Sequence, residues 1–201
     1  MNFSQESHVN ESSCGISSFN FPCNTGKGGS ILDVLDDMIR ETKMDSITHM
    51  DVKFMWGNSN YQYITSDSVG NSGGILCVWE DSIFKKDSVS VSDNFIALFG
   101  TWLPSNSKVL IVVIYAPQSP ILKRILWEYI SGMIVRWYVE SIVLGDFNKV
   151  RSEEERFGSL FNRASARNLN YFIALAGLIE IKMEGYSYTW LHPSATKMSK
   201  L

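Results

Sequence analysis

The sequence predicts a mixed α/β domain with β-sheet at its centre and helices on the outside. Apolar and turn-forming segments follow in the order strands, helix, strand, helix, strands, which is typical of such a layered fold. The 201 residues contain 45% hydrophobic and 12% aromatic residues, which indicates a packed globule. A chain of this length forms one domain by default and is long enough to bury a sizeable core.

The overall charge and the cysteines exclude several classes of protein. A net charge of −3 lacks the basic excess of most nucleic-acid binders, although it does not exclude one that works through a metal ion. The cysteines Cys14, Cys23 and Cys77 are odd in number and lack paired CxxC spacing, so we expect neither a disulfide partner nor a zinc site. No apolar run reaches transmembrane length and no secretory signal opens the chain, so we expect no membrane partner.

Residues 1–39 differ in composition from the rest of the chain. Residues 1–30 are rich in Ser, Asn and Gly, which predicts a disordered segment. Residues 31–39 predict a short amphipathic helix with Leu32, Leu35 and Ile39 on one face. The composition then changes abruptly at Arg40, so we assign residues 40–201 to the folded domain.

A strand-rich region begins at residue 61. Strands are predicted at 75–79, 89–91, 97–102 and 109–115, and the turn residues between them indicate an antiparallel meander. The run 109–114 is apolar throughout, which places it in the middle of a sheet.

Two helices follow the meander. Ser119 and Pro120 are typical of an N-cap and a first helical position, and the helix runs to about residue 137. Its predicted buried face consists of the apolar residues at helical spacing, which are Leu122, Leu126, Tyr129, Ile130, Met133 and Trp137. A second helix is predicted over 164–176, with Gly177 as its C-terminal cap, and two last short strands at 178–181 and 186–191.

The stretch 141–148 organises the chain. Ile142 to Leu144 predict a short strand buried on both faces, and Gly145 suits a tight turn at its end. Asp146 and Asn148 are two residues apart, so in extended geometry both point the same way. Such a pair can hold a hard cation, orient a water molecule or bind a phosphate. Alternatively, the two residues are turn formers after a strand.

Six motifs occur in an order that matches a known family. They are Glu41-Thr42-Lys43, Ser72-Gly73-Gly74-Ile75, Tyr115-Ala116-Pro117, Gly145-Asp146-Phe147-Asn148, Glu154-Glu155-Arg156-Phe157-Gly158 and Tyr188-Thr189-Trp190. With them, residues 40–201 resemble the endonuclease/exonuclease/phosphatase superfamily. The likeness is greatest to the apurinic-endonuclease-like domain of plant LINE-type retrotransposon polyproteins, in which this domain precedes a reverse transcriptase (an RNA-directed DNA polymerase).

The resemblance implies a sandwich of two β-sheets flanked by helices, and Mg²⁺-assisted hydrolysis of a phosphodiester in DNA. It implies that Glu41 binds the magnesium ion, which needs only one or two carboxylates because it keeps several waters. Asp146 would orient or deprotonate the attacking water, and Asn148 would hold that water or a phosphate oxygen. Tyr115 would donate a hydrogen bond to the phosphate, and Thr189 would line the DNA-facing side.

Each assignment has a simpler alternative. Glu41 is also consistent with a surface carboxylate, Tyr115 with an amphipathic residue at a strand end, and Thr189 with an ordinary strand residue. The tryptophans are expected in the core rather than as base-stacking platforms; they are Trp79, Trp102 and Trp190.

The sequence also departs from the family. The family opens with a strand carrying a catalytic Asn and closes with a Ser-Asp-His motif, and this chain has neither. We therefore expect a domain incomplete at both ends and impaired in catalysis. Ser199-Lys200-Leu201 spells a peroxisomal address, which we interpret as fortuitous, and we expect a nuclear or cytoplasmic location. The competing interpretations are a non-catalytic globular remnant with at most a binding role and, less favoured, a cellular phosphatase or nuclease of the same superfamily.

Overall fold

The computed structural model describes residues 39–42, 47–57, 60–67, 73–181, 190–191 and 198–199, with the backbone alone at 39–42 and 190–191. The strands in this part of the chain are β1 Ile39–Thr42, β2 Tyr61–Ser66, β3 Gly74–Glu80, β4 Phe84–Ser92, β5 Phe95–Trp102, β6 Ser107–Tyr115, β7 Glu140–Asp146, β8 Arg156–Phe157, β9 Trp190–Leu191 and β10 Met198–Ser199. The helices are α1 His49–Trp56, α2 Pro120–Trp137 and α3 Arg163–Leu175, with a 3₁₀ turn at Glu153–Glu155.

The strands form two larger sheets and one small one. The four-stranded sheet has the order β4-β5-β6-β7, in which β4, β5 and β6 pair antiparallel and β7 pairs parallel to β6. Helix α2 makes the crossover that a parallel β6–β7 pair requires. The second sheet is antiparallel with the order β1-β3-β2, and two-residue strands form the third in the order β8-β10-β9. The predicted meander is confirmed for β4, β5 and β6, whereas the predicted strand at 75–79 is β3 and belongs to the other sheet. Strand β6 is internal, as predicted.

A hydrophobic core lies between the two larger sheets. Alternate residues of β3, which are Ile75, Cys77 and Trp79, pack against inward-facing residues of β4, β5 and β6. Those partners are Phe84, Ile96, Leu98, Trp102, Val109, Ile111 and Val113. Burial of each large apolar side chain contributes about 1.5–3 kcal/mol to folding. Trp79 and Trp102 are buried, so the prediction that they belong to the core is confirmed.

Helices cover the outer faces of both sheets. The other set of alternating residues on β5 and β6 packs against Leu126 and Ile130 of α2 and against Leu169 and Phe172 of α3. On the opposite side, Val52 of α1 packs with residues of β3. The chain is therefore a mixed α/β fold with sheets flanked by helices, as the sequence predicts. No helix among the described residues is both long and apolar enough to cross a membrane.

The predicted buried face of α2 is partly wrong. Leu122, Tyr129 and Trp137 are 52%, 55% and 37% exposed. The face that packs on the sheet is rotated and consists of Lys123, Leu126, Trp127, Ile130, Ser131 and Met133. Because α2 carries apolar residues around most of its circumference, helical spacing alone does not decide which stripe meets the sheet.

Other predictions need smaller corrections. Residues 142–144 of β7 are only partly buried, because β7 is the last strand of its sheet in the described part of the chain. Residues 178–181 do not form a strand, and helix α1 was not predicted. Ile39 begins β1 rather than ending a helix. Three predictions concern residues that the structure does not describe. They are the disordered segment 1–30, the rest of the 31–39 helix and Thr189. Residues 190–191 of the predicted last strand form β9.

Candidate active site

Tyr115 and Asp146 lie directly opposite each other as the last register pair of the parallel β6–β7 ladder. Ile142, Leu144 and Asp146 alternate along β7, and the first two pack against the core between the sheets. Tyr115 packs against the same core. Asp146 ends β7 at this end of the sandwich, and its side chain is 8% exposed.

Gly145 allows β7 to approach β6 closely at this point. Its φ is +116°, which L side chains rarely adopt. A Cβ atom at residue 145 would lie 2.1 Å from the carbonyl oxygen of Ile114. The strand end thus requires glycine immediately before the carboxylate, although the predicted tight turn comes after Asp146 rather than at Gly145.

The chain turns sharply after Asp146, so the predicted extended geometry of Asp146 and Asn148 is wrong. Asn148 has a φ of +51°, in the left-handed region that Asn tolerates better than most residues. Its backbone N–H donates to Oδ1 of Asp146 at 2.5 Å. The two residues are therefore joined by a direct hydrogen bond within an Asx-type turn. This geometry agrees with the alternative interpretation that both residues are turn formers after a strand.

All four polar groups of Asn148 are engaged by the protein. Besides the N–H, the side-chain Nδ2 donates to the carbonyl of Ala116 at 2.6 Å. Oδ1 accepts from Nε2 of Gln118 at 2.7 Å, and the backbone carbonyl accepts from Nζ of Lys123 at 2.9 Å. Asn148 thus connects the loop after β6, helix α2 and the end of β7.

Sequence reasoning missed Gln118 and Lys123. The signal for Gln118 is its position three residues after Tyr115, in the loop that leaves β6. Lys123 has no such signal, because the stripe that it shares with Leu126, Trp127 and Ile130 is identified as the packed face only in the structure.

Burial sets the electrostatics of the site. It raises the pKa of Asp146, while the hydrogen bond from the Asn148 N–H and the charge of Lys123 act in the opposite direction. Burial, with the neighbouring charges of Lys149 and Arg156, lowers the pKa of Lys123 to about 8, although Asp146 raises it. Desolvation therefore has the largest effect on the pKa of both Asp146 and Lys123. The charge of each residue favours the charged form of the other.

The three-stranded sheet reaches the same end of the sandwich. Glu41 of β1 pairs with Ile75, and Ile75 pairs on its other side with Ser66. Oγ of Ser66 donates to the carbonyl of Ser92 at 2.9 Å, at the end of β4. The β4–β5 turn that follows accepts the backbone N–H of Tyr115 at 3.0 Å. The backbone of Glu41 is thus linked through these four contacts to the strand end that carries Tyr115.

Of the predicted site residues, the structure brings together Tyr115, Asp146 and Asn148. Glu41 is placed by its backbone, and Thr189 lies outside the described residues. The described side chains contain no group of three or more His, Cys, Asp or Glu residues arranged to hold a metal ion.

Comparisons with known proteins find partial likenesses in structure. No family model matches the sequence, and no curated protein matches it. The AP endonuclease LMAP from Leishmania major is similar with a TM-score of 0.49 and 11% identity, over 64% of this chain and 53% of that one. ANGEL2, a 2′,3′-cyclic phosphatase, gives a TM-score of 0.45 and 12% identity over 60% and 44% of the two chains.

A third likeness is to the human Nocturnin catalytic domain. Its TM-score is 0.37 and its identity 16%, over 51% of this chain and 48% of that one. The chain spans about half the length of each of these solved structures.

Proposed function

We propose that the chain is part of a metal-dependent DNA endonuclease domain that hydrolyses phosphodiesters. The observation that carries the proposal is the pairing of Tyr115 with Asp146 at the end of the sandwich, with Asn148 hydrogen-bonded to Asp146. A phenol, a carboxylate and a carboxamide at one strand end can together bind a phosphate and activate a water molecule.

In this proposal, Asp146 orients or deprotonates the attacking water. Its carboxylate is buried but retains a small exposed area, and a carboxyl pKa raised by burial brings a base closer to the operating pH. Tyr115 donates to a phosphate oxygen. Asn148 uses the remaining hydrogen of its Nδ2, because an amide nitrogen has two hydrogens and only one is directed to Ala116.

The proposed cofactor is Mg²⁺, with Glu41 as its protein ligand. A carboxylate oxygen is the donor type that this ion prefers, and the backbone of Glu41 lies at the end of the sandwich that holds Asp146. When bound, the ion would polarise a phosphoryl oxygen and offset its developing charge. Thr189 is proposed to line the DNA-facing side.

The proposed biological context is a LINE-type retrotransposon protein, in which such a domain precedes a reverse transcriptase. The support is the sequence resemblance, above all Gly145-Asp146-Phe147-Asn148 preceded by Tyr115-Ala116-Pro117 and followed by the tract Glu154 to Gly158.

A non-catalytic protein with a binding role is the second candidate. The full engagement of Asn148 favours it, because a side chain that already accepts from Gln118 and donates to Ala116 has less capacity to hold water or phosphate. The same observation favours slow turnover if the chain is an enzyme.

The test is nicking of supercoiled DNA, and cleavage of an abasic oligonucleotide, with and without Mg²⁺. We expect turnover only with the metal ion, and a loss of about 10²-fold or more in Asp146→Ala. Calorimetry with Mg²⁺ should show binding that Glu41→Ala abolishes.

The matched control is Glu140→Ala, which removes an exposed carboxylate from the opposite end of the same strand. It should retain wild-type turnover. Mg²⁺-dependent cleavage that persists in Asp146→Ala would contradict the assigned role. A folded wild-type chain without cleavage or Mg²⁺ binding would favour the second candidate.

A further inference from the structure

Lys123 is a charged residue in an apolar environment. It is 4% exposed and lies on the stripe of α2 that packs toward the sheet, with Leu126, Trp127 and Ile130 on the same face. Burying an ammonium group costs several kcal/mol unless it is paired and hydrogen-bonded. A lysine at this position therefore calls for a specific partner.

That partner is the turn that follows Asp146. Nζ of Lys123 donates to the carbonyl of Asn148 at 2.9 Å, and the charge of Asp146 stabilises the ammonium form. At the other end of the same residue, the N–H of Asn148 donates to the Asp146 carboxylate. Asn148 is thus held at both backbone groups. Lys123 holds its carbonyl, and the carboxylate of Asp146, the candidate base, holds its N–H.

The contact matters because Asn148 is in a left-handed conformation. A non-glycine residue at a φ of +51° needs its surroundings to hold it there. Gln118 and Ala116 hold the side chain, but only Lys123 among these partners holds the backbone carbonyl. Release of that carbonyl would let the peptide unit after Asn148 rotate, and the N–H bonded to Asp146 would move with the turn.

Apart from Asp146, the charges around Lys123 disfavour its ammonium form. Lys108 forms an ion pair with Asp87 and Arg151 forms one with Glu180, and neither pair includes Lys123. Lys149 and Arg156 are close enough to repel its charge. The position is electrostatically unfavourable except for the attraction of Asp146 and the bond to Asn148.

We propose that Lys123 is a positioning residue, which holds the Asn148 carbonyl and thereby sets the orientation of the Asp146 carboxylate. It acts through the turn and does not touch the substrate. The inference deepens the proposed function and rests on it for its catalytic consequence, although the positioning itself is a property of the folded chain.

The experiment compares Lys123→Met with Arg124→Met. Methionine keeps the apolar stem and removes the donor and the charge, whereas Arg124 is an exposed cation on the next position of α2. NMR follows two readouts that need no activity, namely hydrogen exchange of the Asn148 amide and titration of the Asp146 carboxyl. We expect Lys123→Met to accelerate the exchange about tenfold or more and to raise the Asp146 pKa, because both the bond and the cation are lost. Arg124→Met should leave both readouts near their wild-type values.

Unchanged exchange in Lys123→Met, or equal acceleration in both variants, would overturn the proposal. If Lys123→Met does not fold, Lys123→Arg decides, because it keeps a cationic donor. Slow exchange at Asn148 in that variant supports the proposal, and fast exchange contradicts it.

Turnover separates this proposal from the one on which it rests. With an active wild-type chain, Lys123→Met should lower kcat about tenfold or more and leave KM within about twofold, since misplacement of a catalytic group reduces the rate. A raised KM with unchanged kcat would instead mean that Lys123 contacts a phosphate in the groove that it lines together with Ser165 and Asn168 of α3. That result would overturn the positioning role. An inactive wild-type chain contradicts the endonuclease function, whereas the exchange data still decide the positioning.

Discussion

Tyr115 and Asp146 form the last pair of the only parallel ladder in the described part of the chain. In addition, the N–H of Ala116 donates to the Asp146 carbonyl at 2.8 Å, so the pairing continues one residue beyond β6. The backbone that carries these two side chains is therefore fixed by hydrogen bonds before and after the pair. A site built on paired strand ends is more rigid than one built on loops alone.

The burial of Asp146 predicts a pH-dependent cost in stability. Because its pKa is raised by burial, the folded chain binds the proton more tightly than the unfolded chain. Its contribution to the free energy of unfolding therefore falls as pH rises from the unfolded value of 3.8 through the raised folded value. Asp146→Asn should gain stability relative to wild type over that window, by about 1.4 kcal/mol for each pH unit that separates the folded pKa from the unfolded one.

Urea denaturation between pH 4 and pH 8 measures this difference. Glu140→Gln, which removes an exposed carboxylate at the start of β7, is the matched control for the substitution. A stability difference between Asp146→Asn and wild type that is constant across the window would refute the buried-charge account.

Gly145 and Gly132 should respond oppositely to alanine. Gly145→Ala forces a Cβ to within 2.1 Å of the Ile114 carbonyl at a φ of +116°, so we expect a loss of about 3 kcal/mol or more. Gly132 is in the middle of α2, where an added Cβ would have nothing within 4 Å, so Gly132→Ala should gain about 0.5–1 kcal/mol. Thermal and urea unfolding of the two variants check both signs, and a tolerated Gly145→Ala would mean that β7 does not approach β6 as described.

The sequence predicts strands of the four-stranded sheet because the apolar and turn patterns that define them are local. The continuous apolar run at 109–114 and the turn at Asp93-Asn94 are sufficient to define β6 and the β4–β5 hairpin. The buried face of α2 was not predictable in the same way, because the choice between Leu122 and Lys123 as a packing residue depends on the sheet beneath the helix.

The sequence predicts only those parts of the candidate site that do not depend on how the strands pair. Asp146 and Asn148 are close in sequence, so their proximity follows from any turn. Gln118 and Lys123 are 30 and 25 residues away from Asn148, and they reach it because β6 and β7 are neighbours in the sheet. The strand–helix–strand order favours such a parallel pairing, but the side-chain contacts that it brings together are tertiary and have no local signal in the sequence.

Cys77 should be unreactive in the folded chain. It is buried between the sheets, and burial raises the pKa of its thiol to about 12, so almost no thiolate forms at neutral pH. In a Cys14→Ser/Cys23→Ser background, a thiol reagent should label Cys77 only after denaturant unfolds the domain. Rapid labelling without denaturant, at a rate independent of urea, would mean that the core between the sheets opens far more readily than its packing implies.

Gln118 should affect the site more than the stability of the chain. Its side chain is exposed and donates to Oδ1 of Asn148 at 2.7 Å, so Gln118→Ala should cost at most about 1 kcal/mol of stability. The Asn148 amide, however, loses one of its two side-chain restraints. We expect its Nδ2 resonances to broaden or shift and, if the chain cleaves DNA, kcat to fall by about tenfold.

Gln62→Ala is the matched control for this change, since Gln62 is an exposed glutamine on β2. It should alter neither the Asn148 resonances nor the rate of cleavage. Faster cleavage in Gln118→Ala would point the other way: the bond to Gln118 would then restrain an Asn148 amide that the phosphate requires, and the engagement of Asn148 would be inhibitory rather than organising.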